Sequence, residues 1–247
     1  MLSAEEAKLA ELAAGVPILY EDNHVLVVVK PANMPTQEDE SRDPDLLSVL
    51  KAGVKVRYGK PGNVFLGLVH RLDRPVGGVM VFARTSKAAS RLSDAVRTRA
   101  FRKTYVAAVR GTPASPAGTL RHYLVKDAKT NTVRTVPQSY PGAKEAVLDY
   151  TVLGSAEGFA LTEVHLHTGR PHQIRVQFAA IGCPLYGDQR YGGHFSEPGQ
   201  QIALWSAMLG FEHPTTKEPL RFHALPPEAY PWTLWRASIR DFVQQIH

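Results

Sequence analysis

The spacing of apolar positions divides the chain into many short strands and a few helices. His24–Lys30 (HVLVVVK) is a near-continuous β-branched run stopped by Lys30-Pro31, the pattern of a buried strand. Val64–Val69 and Val79–Ala83 predict two more strands, bracketing the charged segment His70–Gly78. Phe101–Arg110 (FRKTYVAAVR) reads as a strand with Tyr105, Ala107 and Val109 on one face. Further strands are expected at His122–Val125, Lys144–Leu153, Phe159–Leu166, Ile202–Trp205 and Met208–Glu212.

Helical spacing is rarer. Glu5–Leu12 reads as a short helix and Leu46–Lys51 as a helical turn or two. After Thr85 or Ser86, either of which can cap, Ala88, Leu92 and Ala95/Val96 recur at helical intervals. Another helix is expected to open at Arg170-Pro171, with Pro at its first position. It carries Ile174, Phe178 and Ile181 on one stripe and stops at Gly182. A terminal helix is expected around Trp235–Ile246, and Gly111–Gly118 and Tyr186–Gln200 read as loops. Strands outnumber helices and often adjoin one another, which argues for an α+β fold with a largely antiparallel sheet.

With 247 residues, 44% of them hydrophobic and 21% charged, the chain is neither disordered nor of low complexity. One large domain, or two subdomains sharing a core, suits that length. The single cysteine, Cys183, excludes an internal disulfide framework and a Cys-based zinc module. No apolar run approaches the roughly 18–20 residues that span a bilayer. The N-terminus is acidic with no basic flank, unlike a secretory signal or transit peptide. A cytoplasmic protein without membrane contact is the expectation.

Charge sharpens this. The net charge is +6, and Arg84–Arg134 holds twelve basic residues against two acids, Asp94 and Asp127. The first 45 residues hold ten acids and three bases. Such asymmetry suits a footprint for phosphates, where Lys and Arg displace counterions. A solvated basic face with no partner is the plainer explanation.

Three constellations stand out. In His70-Arg71-Leu72-Asp73, followed by Arg74-Pro75-Val76-Gly77-Gly78, a charged cluster sits between apolar strands and must reach solvent or be paired. On spacing alone an ordinary turn, with Asp73 capping backbone N–H groups, explains it better. In Thr168-Gly169-Arg170-Pro171-His172-Gln173-Ile174-Arg175, Arg175 is either interior, and then needs a carboxylate in bidentate geometry, or a surface arginine whose stem lies along apolar neighbours. Tyr105 is ordinary strand core or an aromatic face on which a base stacks. His165, His167 and His172 raise the question of a zinc site, but Thr168-Gly169 turns the chain between them and no acid is obviously placed to support them, so no metal is expected.

Together these blocks resemble the RluA-type RNA pseudouridine synthases. HRLD stands at His70–Asp73, followed by an apolar strand ending F-A-R-T at Thr85. K-x-Y-x-A-x-V-x-G follows at Lys103–Gly111 and T-G-R-x-H-Q-I-R-V at Thr168–Val176. Gly182–Pro184, Tyr186–Asp188 with Tyr191-Gly192, Phe211-Glu-His-Pro-Thr and V-x-x-K-P at Val27–Pro31 extend the likeness over about residues 17–228.

The resemblance implies a pseudouridine synthase fold, α+β with a mixed, mainly antiparallel sheet in two halves flanked by helices and a central active-site cleft. Residues 1–16 would be a helical extension and 17–247 the catalytic domain. It implies isomerisation of uridine in rRNA or tRNA on a flipped-out nucleotide. Asp73 matches the catalytic aspartate, Tyr105 the tyrosine that packs on the target base, and Arg175 the arginine that pairs with the aspartate. Arg71 matches a residue that fills space near the flipped nucleotide. Arg84, Lys87, Arg91, Lys103, Arg170 and His172 are the further RNA-binding candidates. The reaction is redox-neutral, so no cofactor and no metal is expected, and a monomer is the default. Two departures stand out. Val76-Gly77-Gly78 replaces the Thr-Ser-Gly of many relatives and removes both hydroxyls, and residues 1–16 are too few for the S4-type RNA-binding module that many carry. The alternative from another class is a catalytically silent RNA-binding or ribosome-assembly protein of the same fold, and a third is a hydrolase built on the three histidines.

Overall fold

The computed structural model describes residues 3–245. In chain order they form helix α1 (Ala4–Ala14), strands β1 (Ile18–Glu21) and β2 (Val25–Lys30), helix α2 (Leu46–Arg57), strands β3 (Gly67–Leu68) and β4 (Gly77–Ala83), and helix α3 (Ser86–Arg97). Strands β5 (Arg102–Arg110), β6 (Ala117–Asp127), β7 (Thr132–Val136), β8 (Lys144–Ala156) and β9 (Phe159–Leu166) follow with no helix between them. Helix α4 (Gln173–Ala180), strands β10 (Leu204–Glu212) and β11 (Pro219–His223), and helix α5 (Arg236–Gln245) complete the order. The fold is α+β, as the adjoining strands argue. Among the described residues no helix is long and apolar enough to cross a membrane.

The chain divides into two units. The first runs to Phe101 and takes in Leu209–Ala224; the second is Arg102–Met208 with the chain from Leu225 on. In the first, β2 pairs antiparallel with β1 and with β4, from Val25 opposite Ala83 to Lys30 opposite Gly78. Its core joins Val25, Val27, Val79 and Val81 to Ala88 and Leu92 of α3 and to Phe101, Leu209 and Phe211. Thr85 caps α3, its hydroxyl accepting the Ala88 N–H at 3.1 Å. In the second unit β5 pairs antiparallel with β9, β9 with β8, β8 with β6 and β6 with β7. Leu124, Val133, Ala146 and Val176 close a core under α4, with Tyr191 packed against it.

Several boundaries differ from the sequence pattern, each for a local reason. The strand expected at Val64–Val69 shrinks to Gly67–Leu68, because Gly67 already faces Ala83, the last residue of β4. At its other end the His70 ring takes the Val81 N–H. Helix α2 continues to Arg57 because Ala52 and Val54 are also buried. The strands expected at Ile202–Trp205 and Met208–Glu212 merge into one, β10, which starts at Leu204 and is buried on both faces until Glu212. Helix α4 begins at Gln173 rather than Pro171, since His172 is left-handed (φ 51°). The terminal helix starts at Arg236 after a 3-10 turn over 232–235; the expected end at Ile246 lies outside the described residues.

Candidate active site

In the first unit the register that sets Lys30 against Gly78 brings the end of β2 to the start of β4, where the HRLD segment enters. That segment is a built turn. The His70 ring is buried, its Nε2 accepting the Val81 N–H at 3.1 Å, and it lies 6.0 Å from the Phe101 ring. Leu72 is buried and its carbonyl accepts the Thr36 hydroxyl at 2.9 Å. The Asp73 carbonyl accepts the Val76 N–H at 3.0 Å, closing the turn beneath its half-buried side chain. Gly78 holds a φ of 120°, which explains a glycine there whatever replaces the hydroxyl residues before it. Arg71 is exposed. The Arg74 side chain pairs with Asp43 and bonds Ser41.

Next to this turn lies Lys30, which in the sequence is only the polar end of the V-x-x-K-P strand. Lys30 is 0% exposed, and its ammonium donates to the carbonyls of Pro31 (2.9 Å) and Arg74 (3.0 Å). Burial pulls its pKa down from 10.5 to about 7; Asp73 works against this and Arg74 with it. The unfolded chain keeps this proton up to 10.5 and the folded chain only to about 7, so between those values the unfolded state binds more protons and stability rises with pH. An NMR titration of the Lys30 Nζ is expected to give a midpoint near 7. A midpoint of about 9.5 or above, close to a free lysine, would contradict the burial and its link to Asp73.

The second unit carries the remaining motifs. Tyr105 sits in β5 opposite Val164 and is 7% exposed. Beside it, burial lowers the pKa of Lys103. The T-G-R-P-H-Q segment is closed by Gln173: its Oε1 accepts the Thr168 hydroxyl (2.8 Å) and the Arg170 N–H (3.0 Å), while its Nε2 donates to the Val147 carbonyl (3.1 Å). Arg170 Nε donates to the Glu145 carbonyl at 2.9 Å, and His172 Nδ1 bonds the Tyr191 hydroxyl at 2.7 Å.

Arg175 is interior, 6% exposed, and has the bidentate carboxylate that such a position demands. Asp188 supplies it: Nε and Nη2 each donate at 2.8 Å. Burial pushes the Asp188 carboxyl up, but Arg175 and the N–H groups of Arg190 and Tyr191 outweigh it and hold it below the usual range. Asp188 was visible only as the last residue of the Tyr186–Asp188 match.

Of the other basic candidates, Lys87 and Arg91 are exposed, Arg91 donating to the Pro214 carbonyl. Arg84 is largely enclosed: it pairs with Glu21 at 3.1 Å, bonds the Asp22 carbonyl and lies over the Tyr58 ring. The basic segment is thus tempered by local partners, with Arg97 on Asp94 and Arg121 on Glu145 as well. The three histidines go to different neighbours, His165 to Glu163 and Thr104, His167 to Asp149, and His172 to Tyr191. Acids do stand beside two of them, contrary to the sequence reading. Among the described residues no three His, Cys, Asp or Glu side chains cluster as metal ligands.

The sequence pattern of the RNA pseudouridylate synthases matches residues 24–180. The chain belongs to that family. Its members are isomerases, and this synthase is similar to the uncharacterised RNA pseudouridine synthase YjbO of Bacillus subtilis, with 36% identity over 230 residues, covering 91% of this chain and 78% of the relative. It is also 33% identical to the ribosomal large subunit pseudouridine synthase D of Pseudomonas aeruginosa over 251 residues, covering 95% of this chain and 76% of the relative. Human RNA pseudouridylate synthase domain containing 4 shares its fold, with a TM-score of 0.77, 24% identity, and coverage of 97% and 98% of the two chains. RNA is therefore the partner of this synthase.

Proposed function

We propose that this synthase isomerises uridines in rRNA or tRNA with Asp73 as its catalytic carboxylate. The observation that carries this reading is the HRLD turn itself, a half-buried carboxylate on a closed turn next to a buried lysine. The uridine C1′–N1 bond breaks, the base rotates, and a C1′–C5 bond forms; C5 gives up its proton and N1 gains one, so atoms and charge balance. Asp73 acts as nucleophile, or as base at the ribose. Tyr105 offers the ring against which the base packs. Arg175 is the arginine that the resemblance to the family assigns to the active site, its guanidinium held in bidentate geometry by Asp188.

Arg71, Lys87 and Arg91 are exposed and serve the phosphates; Lys103, Arg170 and His172 lie nearer the interior of their unit, and Arg84 chiefly braces the end of β4. Flipping the base costs a few kcal/mol, offset by stacking and by a side chain such as Arg71 filling the gap. The enzyme acts as a cytoplasmic monomer with neither metal nor organic cofactor. Likeness to a ribosomal large subunit enzyme favours rRNA. Mapping pseudouridines in rRNA and tRNA from cells with and without the gene is expected to show sites that vanish with it. Identical maps would defeat the proposal.

A further inference from the structure

The orientation of Arg175 depends on what holds it, and Asp188 holds it in an unusual way. Its side chain is 0% exposed, and both of its oxygens take guanidinium N–H groups at 2.8 Å. Oδ1 also accepts the N–H of Arg190 (2.9 Å) and of Tyr191 (3.1 Å). A carboxylate pinned by two backbone donors does not follow a wandering guanidinium; it sets the plane in which the guanidinium lies.

The loop bearing Asp188 is itself tied down. Arg190 Nη1 donates to the Thr130 and Asn131 carbonyls, both at 2.9 Å, in the turn between β6 and β7. The Tyr191 hydroxyl accepts the Val133 N–H at 2.9 Å and bonds His172 at 2.7 Å, while the Tyr191 ring lies 5.2 Å from the guanidinium carbon. A Cβ on Gly192 would come within 2.5 Å of the Asp188 carbonyl oxygen, so the turn that follows is closed tightly by glycine.

We infer that Asp188 is a positioning residue for the isomerisation, fixing the Arg175 guanidinium in one orientation from within the protein without touching the RNA. The inference rests on the reading of Arg175 as an active-site arginine. Buried ion pairs commonly stabilise a fold no more than well-packed apolar side chains of the same volume do, so stability alone is a weak reason for this network. Orientation is a strong one, because a displacement of about 1 Å can slow a reaction on the order of 10²-fold.

The test uses the full chain, a transcript that wild type modifies, single-turnover rates, RNA affinity and thermal unfolding. Asp188→Glu keeps the charge and moves the guanidinium. It is expected to slow isomerisation roughly 10- to 100-fold with RNA affinity close to wild type, while the extra methylene in a fully buried site lowers melting by only about 2–12 °C, so the protein stays folded at the assay temperature. Asp188→Asn is expected to be slower still. In an Arg175→Lys background, where no fork remains to orient, Asp188→Glu is expected to add less than about threefold. A wild-type rate in Asp188→Glu, losses that multiply in the double variant, or a fall in stability that accounts for the whole rate loss would each overturn the inference. If Asp188→Asn fails to fold, Asp188→Glu decides. Wild type inactive on every transcript is a separate result; it defeats the proposed chemistry first, and this inference with it.

Discussion

Asp73→Asn is expected to abolish pseudouridine formation while leaving RNA affinity near wild type. The substitution keeps the shape of the side chain and removes its charge and basicity. The backbone of the turn should survive, because it is closed through the Asp73 carbonyl and braced by the Lys30 ammonium on the carbonyls of Pro31 and Arg74. Loss of a carboxylate that acts directly in chemistry lowers turnover on the order of 10⁴-fold. Nucleoside analysis of RNA incubated with each protein reads the effect, with circular dichroism as a check on folding. Undiminished product would remove Asp73 from its role. A second consequence is electrostatic. Asp73 raises the Lys30 pKa against the pull of burial, so in Asp73→Asn the Lys30 midpoint should drop below its value of about 7.

Arg175→Ala is expected to have the next largest effect, and it should be double. Turnover is lost, and the fold is weakened as well, because Asp188 is left as a buried charge without its guanidinium. Breaking a buried pair from one side costs about 3–5 kcal/mol. At about 2–4 °C per kcal/mol for a chain of this size, melting should fall by roughly 6–20 °C. The sign with pH follows from Asp188. Its pKa is held below that of an unfolded aspartate, so the stability it contributes is present above about 3.9 and is lost as pH falls through the folded value. Arg175→Ala should therefore destabilise the chain most at neutral pH and least in acid. Arg175→Lys separates the two effects, retaining a cation for Asp188 but not the planar fork. A variant Arg175→Ala with wild-type turnover, or with unchanged melting, would contradict this account.

What the sequence disclosed and what it hid follow from one distinction. The strands built of near-continuous apolar runs, β2 and β4, were legible because burial on both faces requires continuous apolar residues. Strands β1, β7 and β11 escaped because they are short and mostly half-exposed, so their identity comes from the neighbour they pair with. Thr85 was readable as a cap because capping is local, whereas the left-handed His172 that delays α4 was not.

The candidate site divides the same way. Asp73, Tyr105 and Arg175 are marked by ordered motifs. The need of an interior Arg175 for a carboxylate was also readable, but Asp188, which meets it within the second unit, comes from a Gly-rich loop thirteen residues on. Lys30 looked like the polar end of an apolar strand; only the pairing of β2 with β4 turns it inward next to the Asp73 turn. Partners of buried charges are tertiary facts, and periodicity carries no trace of them.

The account stands or falls on whether this chain turns over uridine. Because C5 becomes the atom joined to ribose, every isomerisation must expel the hydrogen on C5. RNA labelled with tritium at uridine C5 and mixed with a small fraction of an equivalent of purified enzyme is expected to release many equivalents of tritium per protein. A protein that binds the same RNA tightly yet releases none would be a silent binder of this fold, and the chemistry assigned to Asp73 would be wrong.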